Sequence, residues 1–150
     1  MPNLIFAGPT TQNVPQVKEK LAGAAFLPGA IITLDATDEF IPHGTAGGRG
    51  RYYVAQENYL VMKGVDDTYS TGDLAIGMIP LDEQFFYVRV AASQTITEDE
   101  ALASNGLGLL VSAATAGNEI LFYAEEAVTT GAGETALVLA RVATGVVPGP

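Results

Sequence analysis

The side chains that could do chemistry gather in two stretches. Between Lys63 and Asp73 the carboxylates Asp66, Asp67 and Asp73 stand close to Tyr69 and Ser70. Grouped carboxylates can orient a water or hold a hard cation, because their oxygens are the ligands calcium and magnesium prefer. The spacing is not the D-x-[DN]-x-[DN]-G of a calcium loop, so no cation is expected there. The second stretch is His43 followed by Gly44-Thr45-Ala46-Gly47-Gly48-Arg49-Gly50. Successive glycine N–H groups can cradle a phosphate, but a phosphate loop needs Gly-Lys before Ser or Thr at a helix start. Here Gly48-Arg49-Gly50-Arg51 leads into a strand pattern. The expectation is a flexible surface loop, with Arg49 and Arg51 as contacts for an acidic partner.

The sequence holds one histidine and no cysteine. A metal site at His43 would have to draw its other ligands from carboxylates alone, so His43 is read as a surface loop residue. Ser70, Ser93, Ser104 and Ser112 share that single imidazole, and none stands in a G-x-S-x-G setting. No catalytic, cofactor-binding or metal-binding residue is assigned.

The elements that must position these residues are short strands. Asp66, Asp67, Ser70, Thr71, Gly72 and Asp73 form a turn cluster, and the alternating Leu74–Ile79 and the aromatic run Phe85–Val90 follow it on either side of Asp82-Glu83-Gln84. The natural reading is a hairpin in which Leu74, Phe85 and Tyr87 face a core. Pro28-Gly29 turns the chain into a strand at Ala30–Leu34, and a polar break follows at Asp35–Glu39. Arg51–Ala55 and Tyr59–Met62 read as further strands. Thr97–Ala103 reads as one helical turn, Asn105-Gly106 as a hairpin pairing Leu109–Val111 with what precedes it, Glu119–Tyr123 as a strand and Ala136–Val142 as the last one. Pro2, Pro9 and Pro15 interrupt residues 1–20 around the apolar knot Leu4-Ile5-Phe6, which reads as an extended arm. The expected organisation is an N-terminal arm at 1–20, one β domain at 21–145 and a stiff tail at 146–150.

Composition bounds the function. At 150 residues the chain suits one domain with a real core. Lys plus Arg number 7 against 17 Asp plus Glu, a formal charge of −10 that repels a phosphate backbone, so no nucleic-acid partner is expected. No apolar run approaches the ~20 residues that span a bilayer, and the start lacks the pattern of a signal peptide; a soluble, unprocessed protein without a membrane partner is expected. Seventeen glycines and eight prolines mark an all-β fold, a small antiparallel barrel or sandwich with many turns. Only 16% of residues are charged beside 48% hydrophobic, which points to apolar surface covered by another chain.

Two resemblances bear on function. Gly64–Asp73, GVDDTYSTGD, resembles the nucleoside-binding hairpin of trimeric dUTP diphosphatases, which implies a water-activating Asp67 and a Tyr69 packed on the sugar. That family's other motifs have no counterpart, and its arginine-glycine-phenylalanine tail is replaced by VVPGP. Over most of residues 21–143 the serial order LAGAAFLPGAIITL, YYVAQENYLVMKGVDDTYSTGDLAIGM, FFYVRVAASQTITEDEALASNGLGLLVSA, FYAEEAV and ALVLARV resembles the capsid cement or decoration proteins of tailed bacteriophages. This resemblance implies a non-enzymatic β protein without cofactor, made in the host cytoplasm and seated, commonly as a homotrimer, on the outer surface of the head, where it binds and stabilises the major capsid protein. The residues offered for the capsid or subunit interface are Leu4, Ile5, Phe6, Arg49 and Arg51. A tail or coat accessory role, and a small ligand-binding barrel, stand as alternatives.

Overall fold

In Phe85–Val90 every second side chain, Phe86, Val88 and Val90, is fully buried, as strand geometry requires of a segment with one face on a core. The computed structural model of the chain describes residues 5–8 and 16–149. Their strands are β1 (Phe6–Gly8), β2 (Val17–Leu21), β3 (Ile31–Leu34), β4 (Phe40–Pro42), β5 (Tyr53–Ala55), β6 (Leu74–Met78), β7 (Phe85–Val90), β8 (Thr95–Ile96), β9 (Ala101–Ser104), β10 (Leu110–Ser112), β11 (Glu119–Ala124), β12 (Val128–Thr129) and β13 (Ala136–Val146). Among the described residues there is no α-helix, and the fold is all-β.

Two sheets carry the structure. The larger runs β1-β7-β10-β9-β11-β13, and β13 returns to pair with β7 from Ala136↔Val90 to Arg141↔Phe85. That return closes β7, β10, β9, β11 and β13 into a ring, so those strands have no free edge along which to aggregate. The smaller sheet runs β2-β6-β5-β3-β4, and a parallel bridge from Ala22 to Phe40 joins its two outer strands. β8 and β12 form a separate two-stranded ribbon. Pairing is antiparallel except at that bridge and where β10 meets β7.

Alternation in β3 and β5 explains how the sheets stack. Ile31 and Val54, paired across the strands, join Phe86, Val88, Val90, Leu102, Phe122, Val138 and Ala140 in the main core. Ile32 and Tyr53, also paired, face the opposite way into a second core with Phe40, Phe26 and Tyr69. Phe40 fills that second core by lying against Gly77, where any Cβ would sit 2.6 Å from the ring. Backbone bonds stitch the two bodies: Arg89 N–H donates to Gly29 O, and Gly29 N–H to Ala55 O. Gly29 holds φ +83°, a conformation that an L side chain resists.

Several expectations differ from the structure. Segment 63–92 is not a hairpin: β6 and β7 lie in different sheets, and the Leu81–Gln84 turn, closed by Gln84 N–H on Leu81 O, carries the chain between them. Phe85 and Tyr87 are accordingly half-buried and Leu74 exposed, while their alternate neighbours hold the core. Tyr59–Val61 is a 3₁₀ turn rather than a strand, since Asn58 O accepts the N–H of both Val61 and Lys63 and curls the chain back. Thr97–Ala103 holds no helical turn. Asp99 takes φ 64° and Glu100 caps the Thr97 N–H, so a tight turn delivers the chain into β9. β2 crosses the boundary expected at residue 20, and β13 continues through Val146, after which Val147 bonds to Gly117 and Asn118.

Candidate functional site

His43 is buried rather than a surface residue, at 4% exposure. Its Nε2 lies 2.9 Å from Arg49 O and its Nδ1 2.8 Å from Ser104 Oγ. A carbonyl can only accept, so Nε2 carries a proton, and in the neutral imidazole Nδ1 accepts the Ser104 hydroxyl. Ser104 Oγ in turn accepts the Gly106 N–H at 3.1 Å. The pair looks like nucleophile and base, but both are buried and each is engaged by backbone, so it braces the loop. The glycine loop is correspondingly pinned rather than free: Gly47 N–H donates to Ser104 O, Glu119 N–H to Gly47 O, and Arg49 N–H to Glu119 Oε2. Arg49 also donates from Nη1 to Ala143 O at 3.3 Å and lies over the Tyr52 ring, whereas Arg51 is exposed beside Tyr53.

The carboxylates of the 63–73 loop are turned to structural ends. Asp67 Oδ2 accepts the Gly64 N–H at 2.7 Å. Asp73 accepts the Ser70 N–H at 2.9 Å, which holds its carboxyl below the usual range, with Lys63 adding to the effect. Asp66 pairs with Arg89, a guanidinium only 4% exposed that also donates to Pro28 O, Val65 O and Thr135 Oγ1. Tyr69 is buried against Phe26, its hydroxyl donating to Gln56 O at 2.9 Å, and burial pushes its phenol well up. Its ring is therefore unavailable to stack on a sugar, and Asp67 and Tyr69 do not converge on a site. Among the described residues no pocket opens, and no three His, Cys, Asp or Glu side chains are placed to hold a metal ion.

Ile5 and Phe6, from the apolar knot of the arm, lie on the chain's own core. Ile5 is fully buried, donates its N–H to Glu57 Oε2 at 3.2 Å and accepts the Tyr87 N–H, while Phe6 meets the Phe86 ring edge-on at 5.3 Å. Leu4 lies outside the described residues. Glu57 is buried, and desolvation raises its carboxyl above the ordinary range.

The surface feature that sequence reasoning missed is the 3₁₀ turn. Tyr59, Leu60 and Val61 are each more than half exposed and Met62 is 95% exposed, held at φ 59°. Asn58 Nδ2 donates to Leu74 O, which sets the turn beside exposed Leu74 and its cross-strand partner Leu21. The available signal was four apolar residues between Asn58 and Lys63 without the polar alternation of a half-buried strand.

No family model and no curated protein matches the chain. Among solved structures it is similar to the N base of the head fiber gp8.5 of bacteriophage phi29, with a TM-score of 0.58 and 14% identity, over 87% of this chain and 95% of that one. The likeness is one of fold.

Proposed function

We propose that this chain is a non-enzymatic structural protein of a tailed-phage head, one that sits on the outer surface of the capsid and stabilises contacts between major capsid subunits. The observation that carries the reading is the fold shared with a head-fiber base over nearly the whole of both chains. The low charged fraction and the engagement of Asp67, Tyr69, His43 and Ser104 in internal bonds agree with it. The work is done by burial: an interface of standard size removes about 800 Å² from each partner, at ~25 cal/mol per Å² of apolar surface, and many copies share the outward load. We take the assembled form to be a homotrimer, and assign no role to nucleic acid, membrane or cofactor.

A second reading follows from the same comparison. A fold seen in a fiber base also suits a mount, which grips the shell and carries an appendage without strengthening it. Particles made with and without the chain separate the two. The stabilising role predicts that heat releases the genome at a lower temperature when the chain is missing; an unchanged release temperature with loss of a surface projection supports the mount. Neither role survives if purified shells fail to retain the chain. Turnover of dUTP abolished by Asp67→Ala would replace both with an enzyme.

A further inference from the structure

We infer that the 3₁₀ knuckle Tyr59–Met62, with Leu74 and Leu21 beside it, is the surface that docks on the capsid shell, inserting into an apolar hollow of a shell subunit that is rimmed by lysine or arginine. The inference rests on the head-surface reading above.

None of Tyr59, Leu60 and Val61 is buried, so the knuckle adds nothing to this chain's own cores. A run of four exposed apolar residues is a liability for a soluble protein unless it is covered. The knuckle is nonetheless held in a defined shape. Asn58 accepts two backbone N–H groups and ties the turn to β6 through Leu74 O, and Met62 sits in the left-handed region that presents its side chain outward. A preorganised apolar tip binds with little ordering entropy.

The charge around the tip selects the occupant. In the segment that follows, Lys63–Asp73, Lys63 pairs with Asp73 and Arg89 with Asp66, while Asp67 accepts the Gly64 N–H, and Glu19 is exposed on β2 between Val17 and Leu21. A second copy of the same patch would bring these carboxylates face to face in a chain of formal charge −10, and like charges across an interface oppose docking. A cationic rim around an apolar hollow satisfies both the tip and its surroundings. Arg49 and Arg51 precede β5 while the knuckle follows it, so the two lie at opposite ends of that strand in the chain.

The test is retention on purified capsid shells that lack the chain. The doubly substituted Leu60→Asp, Met62→Asp protein is compared with wild type and with Leu107→Asp, which alters an equally exposed apolar residue at the Asn105-Gly106 turn. The knuckle variant is expected to keep the wild-type melting temperature, since no core contact is lost, and to bind shells at least about tenfold more weakly. Leu107→Asp should bind as wild type does, and wild-type binding should weaken as salt is raised. Wild-type affinity in the knuckle variant overturns the inference and leaves the head-surface role standing, as does an equal loss in Leu107→Asp. If wild type itself fails to bind shells, the head-surface role falls first. Concentration-dependent trimers of wild type that the knuckle variant cannot form would assign the patch to a second copy instead.

Discussion

Replacing Arg89 by alanine tests the seam between the two sheets. The guanidinium leaves β7 and donates to Pro28 O at 2.9 Å, Val65 O at 2.8 Å and Thr135 Oγ1 at 3.2 Å, besides pairing with Asp66. Pro28 and Val65 are buried, so their carbonyls lose partners that water cannot easily replace; at about 1–3 kcal/mol for each orphaned buried group, the two sum to about 2–6 kcal/mol. Thr135 is half-buried and Asp66 is exposed enough for water to rehydrate it, so they add little. Relief of the buried charge's own desolvation offsets part of the loss, leaving about 2–4 kcal/mol. For a domain of this size each kcal/mol moves Tm by about 2–4 °C, so Arg89→Ala should melt roughly 5–15 °C below wild type by circular dichroism. Asp66→Asn should cost under about 1 kcal/mol, because that carboxylate is largely solvated. Arg89→Lys should recover less than half of the loss, since one ammonium cannot span acceptors that a planar fork reaches together. An Arg89→Ala protein within about 1 kcal/mol of wild type, or an Asp66→Asn as damaging as Arg89→Ala, would refute the account of Arg89 as a clamp on buried carbonyls.

Gly77→Ala should destabilise by about 1–3 kcal/mol in urea titration, because its Cβ would sit 2.6 Å from the Phe40 ring; coupling it with Phe40→Leu should recover part of the loss. Burial raises the Glu57 carboxyl above its unfolded value, so its favourable contribution is complete below the ordinary carboxylate range and is lost as pH rises through the folded value. Glu57→Gln should therefore gain stability relative to wild type between acid and neutral pH and track it above; a gap that does not change with pH would contradict this. Ser104→Ala removes the hydroxyl that joins His43 Nδ1 to Gly106 N–H and should cost about 1–3 kcal/mol in thermal melts, while dissolved dUTP and simple esters remain unhydrolysed by either protein.

What was legible in the sequence was local. Asn105-Gly106 announced the turn between β9 and β10: Gly106 holds φ +80°, and the Asn105 side chain accepts the N–H of Leu107 and Leu109. Pro28-Gly29 and the β-rich, helix-poor composition gave the fold class for the same reason, since turn chemistry is written in neighbouring residues. Long-range pairing was not written there. Nothing in DLAIGM or FFYVRV says that one joins β2 and β5 while the other joins β13 from the far end of the chain, so a hairpin was the natural inference. Arg89 occupies an outward position of an alternating strand, and its burial depends on Pro28, Val65 and Thr135, which only the fold brings together. The same holds for His43, whose partners Ser104 and Arg49 come from β9 and from the loop's own return.

These failures share a cause that bears on function. Each group with chemical potential is engaged internally: Asp67 and Asp73 close turns within their own loop, while the Ser104–His43 pair, Asp66 and Tyr69 tie loops to strands or to one another, on a body whose strands are closed into rings or stacked. Closed strands leave few free edges, and the loops are tied by the bonds described. The Tyr59–Met62 knuckle departs from that pattern, being rigidly held by Asn58 yet wholly outside both cores. In a molecule that turns its polar groups inward to brace loops, a braced apolar tip left in solvent is what the proposed docking on a shell subunit would use. That makes the retention of Leu60→Asp, Met62→Asp on capsid shells the measurement on which the link between this fold and a head surface turns.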